Sequence, residues 1–163
     1  MSSYCELSNR CLLTRVTPID LSGLIAESLL HTRSEAIIAA DREGVIRFWN
    51  PGAERIFGHD AADAMGESLD LIIPERLRKR HWDGYRGTIA TGRSRYGEGD
   101  VLSVPAQHQN GATVSIEFTV LPLRDSSGAI IAIVAIMRDV TKRFEEIRQL
   151  KRRLAESAAS RTG

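Results

Sequence analysis

The sequence predicts an α+β domain in which a five-stranded antiparallel sheet carries short helices and one long helix on one face. Two segments of strand character precede a central stretch with helical periodicity, and three follow it. The last three strands are joined by short turn sequences, which favours antiparallel hairpins. Amphipathic helices are predicted on both sides of this sheet domain, one before it and one after it.

Composition and charge are those of an ordinary globular chain. The 163 residues are 42% hydrophobic and 26% charged, so one domain with tails is expected. A net charge of +1 argues against nucleic-acid binding as the main role. We find no apolar run that could span a membrane and no signal peptide, so we expect a cytoplasmic protein without membrane association. Cys5 and Cys11 are expected to be free thiols, although a role as a redox-dependent ligand stays open.

An N-terminal amphipathic helix is predicted over residues 17–33, after a tail of residues 1–16 that has no clear period. Thr17, Pro18 and Asp20 provide a capping hydroxyl, a proline at the first position and a carboxylate three residues on. The helix has a broad apolar face, formed by Ile19, Leu21, Leu24, Ile25, Leu29 and Leu30. We expect this face to pack on the domain or on a second copy of the chain.

The sheet domain is predicted over residues 34–139. Its first hairpin joins residues 35–40 to residues 45–49 through the turn sequence Asp41-Arg42-Glu43-Gly44. A short helix at residues 53–57, ended by Gly58, and helical turns at residues 65–73 follow. Three further strands are predicted at residues 100–108, 112–123 and 129–137, the first two around an Asn110-Gly111 turn. Apolar and polar side chains alternate in the second of these three, so one face is expected to be buried.

The long helix is predicted over residues 74–92, since Pro74 and Gly92 are typical of a helix start and a helix end. One face, directed to the interior, carries residues that recur every four positions, namely Leu77, His81, Tyr85 and Ile89. The opposite side should face water and carries Arg76, Lys79, Arg80 and Asp83. An inward histidine can bind a metal, change charge with pH, or fill the core with its ring N–H satisfied, and these readings stay open at this point.

Residues 140–163 are predicted to form a charged, coiled-coil-like helix and a tail. Val140, Ile147 and Leu154 are seven residues apart and Leu150 occupies the companion position, so a short dimeric seam is available. Arg143 occupies the other companion position, where an apolar residue would pack better. A homodimer is therefore predicted, with a monomeric amphipathic helix as the alternative.

The order of these elements and four local motifs resemble a PAS domain. A-D-R-E-G-V-I-R-F-W-N, which ends at Asn50, resembles the family's opening hairpin, and A-E-R-I-F-G at residues 53–58 resembles its first short helix. M-G-E-S at residues 65–68 resembles the turn before the long helix. R-D-V-T at residues 138–141 resembles the motif that closes the last strand and starts the signalling helix. The resemblance covers residues 34–141 and implies a sensor that signals through its outgoing helix.

Within that family, the sequence P-E-R-L-R-K-R-H-W-D-G-Y resembles the haem-binding branch, the FixL-type oxygen sensors and RcoM-type carbon monoxide sensors. The resemblance implies that His81 is the proximal iron ligand of a b-type haem (heme b). It further implies that the protein senses a diatomic gas (CO, O2 or NO) or a redox state. The expected cofactor site is lined by Leu77, Tyr85, Leu102, Ile116, Phe118 and Val120. Arg86 and Arg95 are candidates for the haem carboxylates or, equally, solvated surface arginines.

The sequence departs from that branch at two places. Leu102 occupies the strand position where FixL-type domains carry an arginine that reaches oxygen, so we expect no strong donor there and a preference for carbon monoxide. Met65 and Met137 are expected to lie away from the strands that face the helix, so an RcoM-type methionine ligand is not carried over. The other histidines, at turns or strand ends, are expected to be solvated; these are His31, His59 and His108.

Other classes of function are weighed against this one. Catalysis is not expected, because the chain has no phosphate loop, nucleophile elbow, kinase motif or H-E-x-x-H sequence. Flavin photosensing is not expected either, since related photosensors need a cysteine in the domain and none follows Cys11. The alternative to a haem sensor is a haem-free PAS module that dimerises and binds another small ligand or a partner protein. In both cases a downstream signalling protein is a further expected partner.

Overall fold

The computed structural model of the protein describes residues 20–92 and 101–159, which form the α+β architecture expected from the sequence. The strands are β1 (Ala36–Asp41), β2 (Ile46–Trp49), β3 (Leu102–Gln107), β4 (Thr113–Arg124) and β5 (Ile130–Asp139). The helices are α1 (Leu21–Leu30), α2 (Pro51–Phe57), α3 (Ala61–Ala64), α4 (Glu75–Thr91) and α5 (Thr141–Ala159), with a short 3-10 helix at Leu69–Leu71. The strands form one antiparallel sheet in the order β2-β1-β5-β4-β3.

Helix α1 begins later than the sequence pattern predicts. Asp20 caps it, because the Asp20 carboxylate accepts a hydrogen bond from the Gly23 N–H at 3.1 Å. Thr17 and Pro18, which we expected to start this helix, lie outside the described residues. None of the apolar side chains of α1 is buried on the domain, and four of them expose more than half of their surface: Leu21, Leu24, Ile25 and Leu29. The expectation that this helix packs on the domain was therefore wrong. The alternative, that it packs on a second copy of the chain, stays a prediction.

Asn50 organises the start of the sheet. Its side chain is only 1% exposed and makes four hydrogen bonds to the backbone. The carbonyl oxygen accepts from the N–H groups of Ile37 at 2.8 Å and Ala53 at 2.9 Å. The amide group donates to the carbonyls of Thr32 and Glu35 at 3.0 Å each. Asn50 thus caps α2 and also fixes the entry to β1, because a buried amide must satisfy its polar atoms.

The core lies on one face of the sheet, under the helices. The residues of β4 that face the helices are Val114, Ile116, Phe118 and Val120, as the predicted alternation requires. Apart from Ile37, the buried hydrophobic side chains divide into two clusters. The larger one joins α2 and α3 to the sheet around Phe57 and Ile38, and the smaller one contains Ala40, Tyr85, Ile130 and Ile133. Helix α4 therefore covers the sheet mainly through the smaller cluster.

Helix α5 leaves the sheet directly after β5. Val140, expected in a coiled-coil seam, precedes the helix and donates its N–H to the Ser115 carbonyl at 2.8 Å, so it belongs to the junction. Phe144, which the seam prediction omitted, is 58% exposed and starts the apolar stripe that continues through Ile147, Leu150 and Leu154. None of the helices in the described part of the chain is long and apolar enough to cross a membrane.

Candidate functional site

The inner face of α4 is the one that the four-residue spacing predicts. Tyr85 is buried and the other three predicted residues, Leu77, His81 and Ile89, are half-buried. The predicted outer residues are all exposed: Arg76, Lys79, Arg80 and Asp83. The helix ends at Gly92, whose φ of 69° lies in the left-handed region that glycine adopts without strain. One imidazole therefore faces the interior from the middle of the helix.

The His81 ring carries a nitrogen without a partner. Among the side chains that the structure describes, Nδ1 of His81 is the one buried polar atom with no hydrogen bond. Burial lowers the pKa of His81, and the nearby Asp70 carboxylate opposes this shift without reversing it. Burial therefore favours the neutral form of the ring. A neutral imidazole with an unsatisfied nitrogen is a good ligand for haem iron.

Two aromatic rings enclose this imidazole. The ring centroids of His81 and Trp82 are 4.9 Å apart and nearly perpendicular, with an interplanar angle of 76°. The Tyr85 ring lies 5.7 Å from His81 on the next turn. The Tyr85 hydroxyl donates to the carbonyl oxygens of Asp41 at 2.6 Å and Ala40 at 3.2 Å, which ties α4 to the end of β1. The inner face of α4 is thus anchored next to His81.

The predicted sheet residues of the site share the helix-facing side. Leu102 on β3 lies opposite Phe118 on β4 in the strand register, so both point the same way. Ile116 is buried in the larger core cluster, and Phe118 packs against that cluster. Val120 packs against the smaller cluster, which contains Tyr85. The half-buried side chains of Phe118 and Val120 therefore lie where the two clusters meet, on the side of the sheet that α4 covers.

The expectation about Met137 was wrong. Met137 lies on β5, is 4% exposed and belongs to the larger core cluster. It lies opposite Phe118 on β4 and Ala36 on β1 in the strand register, so its side chain points to the helix-facing side. The reason is that β5 extends to Asp139, and its pleat turns Met137 inward. Met65 lies away from the strands, at the end of α3, as expected, and its side chain is exposed.

The structure does not bring the predicted Arg86 to this face. Arg86 is exposed and pairs with Asp83 at 2.9 Å on the water side of α4. Arg95 lies outside the described residues. The structure therefore places the apolar part of the predicted site and His81 on facing elements.

The remaining histidines do not all behave as expected. His31 is exposed and its Nδ1 lies 2.9 Å from the Glu27 carbonyl at the end of α1. His59 and His108 are half-buried rather than solvated, and burial lowers the pKa of His59. The His108 ring covers Gly58, where an added Cβ would lie 2.4 Å from Cε1. Within residues 20–92 and 101–159, no three His, Cys, Asp or Glu side chains group as ligands for a metal ion. Haem needs only one protein ligand, so this finding leaves the His81 assignment in place.

Sequence reasoning missed Trp82 and Asp70. The Trp82 indole N–H donates to Asp70 Oδ1 at 2.8 Å, and this pair stands directly beside His81. A signal for Trp82 existed, because it lies three residues before Tyr85 and seven before Ile89 and so borders the inner face of the helix. Asp70 lies in the 3-10 helix Leu69–Leu71, which is too short for any period to reveal its orientation.

Comparison with known proteins agrees with the fold. The sequence matches the family described as PAS fold over residues 30–145. It is 30% identical over 129 residues to the sensor protein FixL of Bradyrhizobium diazoefficiens, covering 79% of this chain and 24% of FixL. It is 24% identical over 131 residues to the oxygen sensor protein DosP of Escherichia coli, covering 78% of this chain and 16% of DosP.

A solved structure has the same fold. The crystal structure of a PAS domain from Colwellia psychrerythraea matches with a TM-score of 0.64 at 20% identity, covering 76% of this chain and 99% of that one. The chain spans about a quarter or less of the length of FixL and DosP. The family match extends over most of the chain and confirms the resemblance seen in the motifs. This chain belongs to the PAS-fold family and is related to the FixL and DosP sensor proteins.

Proposed function

We propose that this chain is a sensory module that binds one b-type haem through His81 and responds to a diatomic gas. The observation that carries the proposal is the His81 imidazole on the inner face of α4, which makes no hydrogen bond to any of the described residues. The sequence resemblance to the haem-binding branch supports it, as does the similarity to a protein described as an oxygen sensor. Haem, when bound, supplies an iron atom that can take CO, O2 or NO as a ligand.

The residues around His81 fit an apolar cofactor. Leu77 on α4 and Phe118 and Val120 on β4 are half-buried, so a flat apolar ligand would bury more of their surface. Tyr85 and Trp82 hold the imidazole from the side. Leu102 on β3 offers no hydrogen-bond donor to a gas molecule, which favours carbon monoxide over oxygen because oxygen gains more from a donor.

Strand β4 provides the route from this site to α5. Ile116 and Phe118 face the helices, whereas Ser115 and Glu117 alternate with them and face the other side. The Ser115 N–H donates to the Thr141 hydroxyl at 2.9 Å, and Glu117 forms an ion pair with Arg143 of α5. A displacement of β4 by a ligand would therefore move the base of α5, a packing change that can have two discrete outcomes.

The module would act as a homodimer. Four apolar side chains of α5 are exposed on one stripe, and α1 exposes a second stripe. Arg143, which disturbed the predicted seam, pairs with Glu117 of its own sheet and so does not need a place in the seam. Burial of about 1.5–3 kcal/mol per large apolar side chain makes association by these stripes favourable. We assign the module a place in the cytoplasm, a downstream signalling protein as partner, and no catalytic step.

The alternative is a haem-free PAS module that dimerises and binds another ligand or a partner protein. The exposed stripes of α1 and α5 support dimerisation in this case too. The two functions differ in whether His81 binds haem iron or the module binds another ligand or a partner protein. The colour of the purified protein is thus the simplest observation that separates them.

A hemin titration tests the proposed function. Wild-type protein, His81→Ala and the matched control His31→Ala are each titrated with hemin, and the absorbance spectrum is recorded. His31 is exposed at the end of α1, so its replacement removes a histidine without touching the inner face of α4. We expect one haem per chain in the wild type and the control. We expect His81→Ala to lose the spectrum of a histidine-ligated haem. No hemin uptake by the wild type, or an unchanged His81→Ala spectrum, would contradict the proposal.

A further inference from the structure

We infer that Trp82, held by Asp70, is a positioning residue that fixes the orientation of the His81 imidazole. The inference rests on the proposed function in so far as His81 is the iron ligand. Histidines that bind metals are usually oriented by a hydrogen bond from their second ring nitrogen to a carbonyl or carboxylate. In the described part of the chain, neither ring nitrogen of His81 makes a hydrogen bond, so the nitrogen that does not bind iron has no such partner. Its orientation must therefore come from packing.

Packing against His81 comes from two rings with different anchors. The Trp82 ring meets the imidazole nearly at right angles with centroids 4.9 Å apart, and the Tyr85 ring lies 5.7 Å away at 38°. The two rings also contact each other, with centroids 5.6 Å apart and an angle of 71°. Such edge-to-face pairs are favourable arrangements of aromatic rings. Of the two rings, Trp82 is the closer neighbour of His81.

Trp82 itself is held at both ends of its indole. Its Nε1 donates to Asp70 Oδ1 at 2.8 Å. At the other end, the six-membered ring lies against Gly44, where an added Cβ would be 2.3 Å from Cη2 and Cζ3. Gly44 has a φ of +82°, so glycine is favoured there by the backbone as well as by the indole. Both contacts come from elements other than α4, so the indole is fixed relative to the domain.

Asp70 is held in turn by Arg78. The Arg78 Nε lies 3.6 Å from Asp70 Oδ1 and donates to the Ile73 carbonyl at 3.2 Å. The Arg78 guanidinium also donates to the Asp70 carbonyl at 3.0 Å. Arg78, Asp70 and the Trp82 N–H thus form a connected polar chain. The Trp82 ring at the end of this chain contacts the His81 ring. The predicted consequence is that the hydrogen bond between Trp82 and Asp70, rather than one made by His81, sets the angle of the imidazole.

Three variants separate this role from a general effect on folding. Trp82→Phe keeps a ring and removes the N–H, and Asp70→Ala removes the acceptor while the tryptophan stays. Asp70→Asn retains a side-chain oxygen that can accept from Trp82, so it should rescue the orientation. Lys79→Ala, on the exposed side of α4, is the control.

Three measurements are made on these variants. In the haem-free protein, NMR of the His81 ring should show one conformer for wild type, Lys79→Ala and Asp70→Asn, and averaged signals for Trp82→Phe and Asp70→Ala. In hemin titrations, the last two should bind about 10-fold more weakly than wild type, the lower end of effects seen when the support of a metal ligand is lost. Raman spectra should show a shifted iron–histidine vibration in the same two variants.

The outcomes distinguish this inference from the proposed function. Wild-type His81 signals and wild-type hemin affinity in both Trp82→Phe and Asp70→Ala would overturn the positioning role and leave haem binding intact. Equal averaging in Asp70→Asn and Asp70→Ala would also overturn it, because the retained acceptor should rescue. Failure of the wild type to bind hemin would instead contradict the proposed function, while the NMR comparison still decides whether Trp82 orients His81.

Discussion

The backbone N–H of Ser115 donates a hydrogen bond to the hydroxyl oxygen of Thr141 at 2.9 Å, which joins the start of β4 to the first residue of α5. The junction is closed by two further bonds. The Thr141 N–H donates to the Asp139 carboxylate at 2.9 Å, and the Val140 N–H donates to the Ser115 carbonyl at 2.8 Å. The direction in which α5 leaves the domain is therefore set by β4, the strand that also lines the candidate site.

Replacement of Thr141 by valine should weaken this junction. Valine keeps the shape of threonine but leaves the partly buried Ser115 N–H without its acceptor. We expect the free energy of unfolding to fall by about 1–2 kcal/mol, as for other lost hydrogen bonds of this kind. Chemical denaturation followed by circular dichroism measures it, with Lys142→Ala on the same turn as control. Equal stability of Thr141→Val and the wild type would show that the bond does not hold the junction.

Tyr85 should make stability depend on pH in the alkaline range. Burial, and then the carboxylates of Asp41 and Glu43, raise the pKa of Tyr85 well above its ordinary value of 10.0. The folded state therefore holds a proton that the unfolded chain releases, so the stabilisation is complete below pH 10 and is lost as the pH rises further. We expect wild type to lose more unfolding free energy above pH 10 than Tyr85→Phe does. Parallel losses in denaturation curves at several pH values would contradict this account.

A charge placed in the apolar stripe of α5 should dissociate the dimer. Ile147 lies in the middle of this stripe, whereas Gln149 lies on the opposite side of the helix. We expect Ile147→Asp to raise the dimer dissociation constant by at least about tenfold, since burying an unpaired carboxylate is unfavourable. Gln149→Asp introduces the same charge and should leave association unchanged. Sedimentation equilibrium gives both constants, and a wild type that stays monomeric or an Ile147→Asp variant that stays dimeric would refute the seam.

The gas preference depends on the missing donor at Leu102. The haem-loaded protein in its ferrous form is expected to favour carbon monoxide strongly over oxygen. Leu102→Arg places a cationic donor on the helix-facing side, which should shift the affinity ratio towards oxygen by about tenfold. Val101→Arg adds the same side chain at an exposed position and serves as the control. Equilibrium titrations with each gas decide this, and an unaltered ratio in Leu102→Arg would remove Leu102 from the site.

Periodicity predicted those features that depend on one element alone. The inner face of α4 followed from the spacing of Leu77, His81 and Tyr85. The ends of the observed strands differ from the predicted ends by no more than two residues. The orientation of the Met137 side chain could not be predicted, because a strand that is apolar on both faces shows no alternation of apolar and polar residues.

Other features depend on how separate elements meet. In the sequence, Arg143 interrupts the apolar seam of a coiled coil. Its partner could not be predicted, because only the folded chain brings Glu117 of β4 beside it. The pair of Trp82 and Asp70 is of the same kind, because twelve residues and a change of element separate its members. The start of α1 was missed for another reason, since Thr17 and Asp20 are both acceptable caps and the sequence does not rank them.

Replacement of His81 by glycine tests the central claim most directly. The variant removes the imidazole from α4 and leaves a space into which free imidazole can diffuse. If His81 is the iron ligand, hemin-loaded His81→Gly should lose the spectrum of a histidine-ligated haem and regain it when imidazole is added. An unchanged spectrum in His81→Gly, with no response to imidazole, would contradict haem binding through His81.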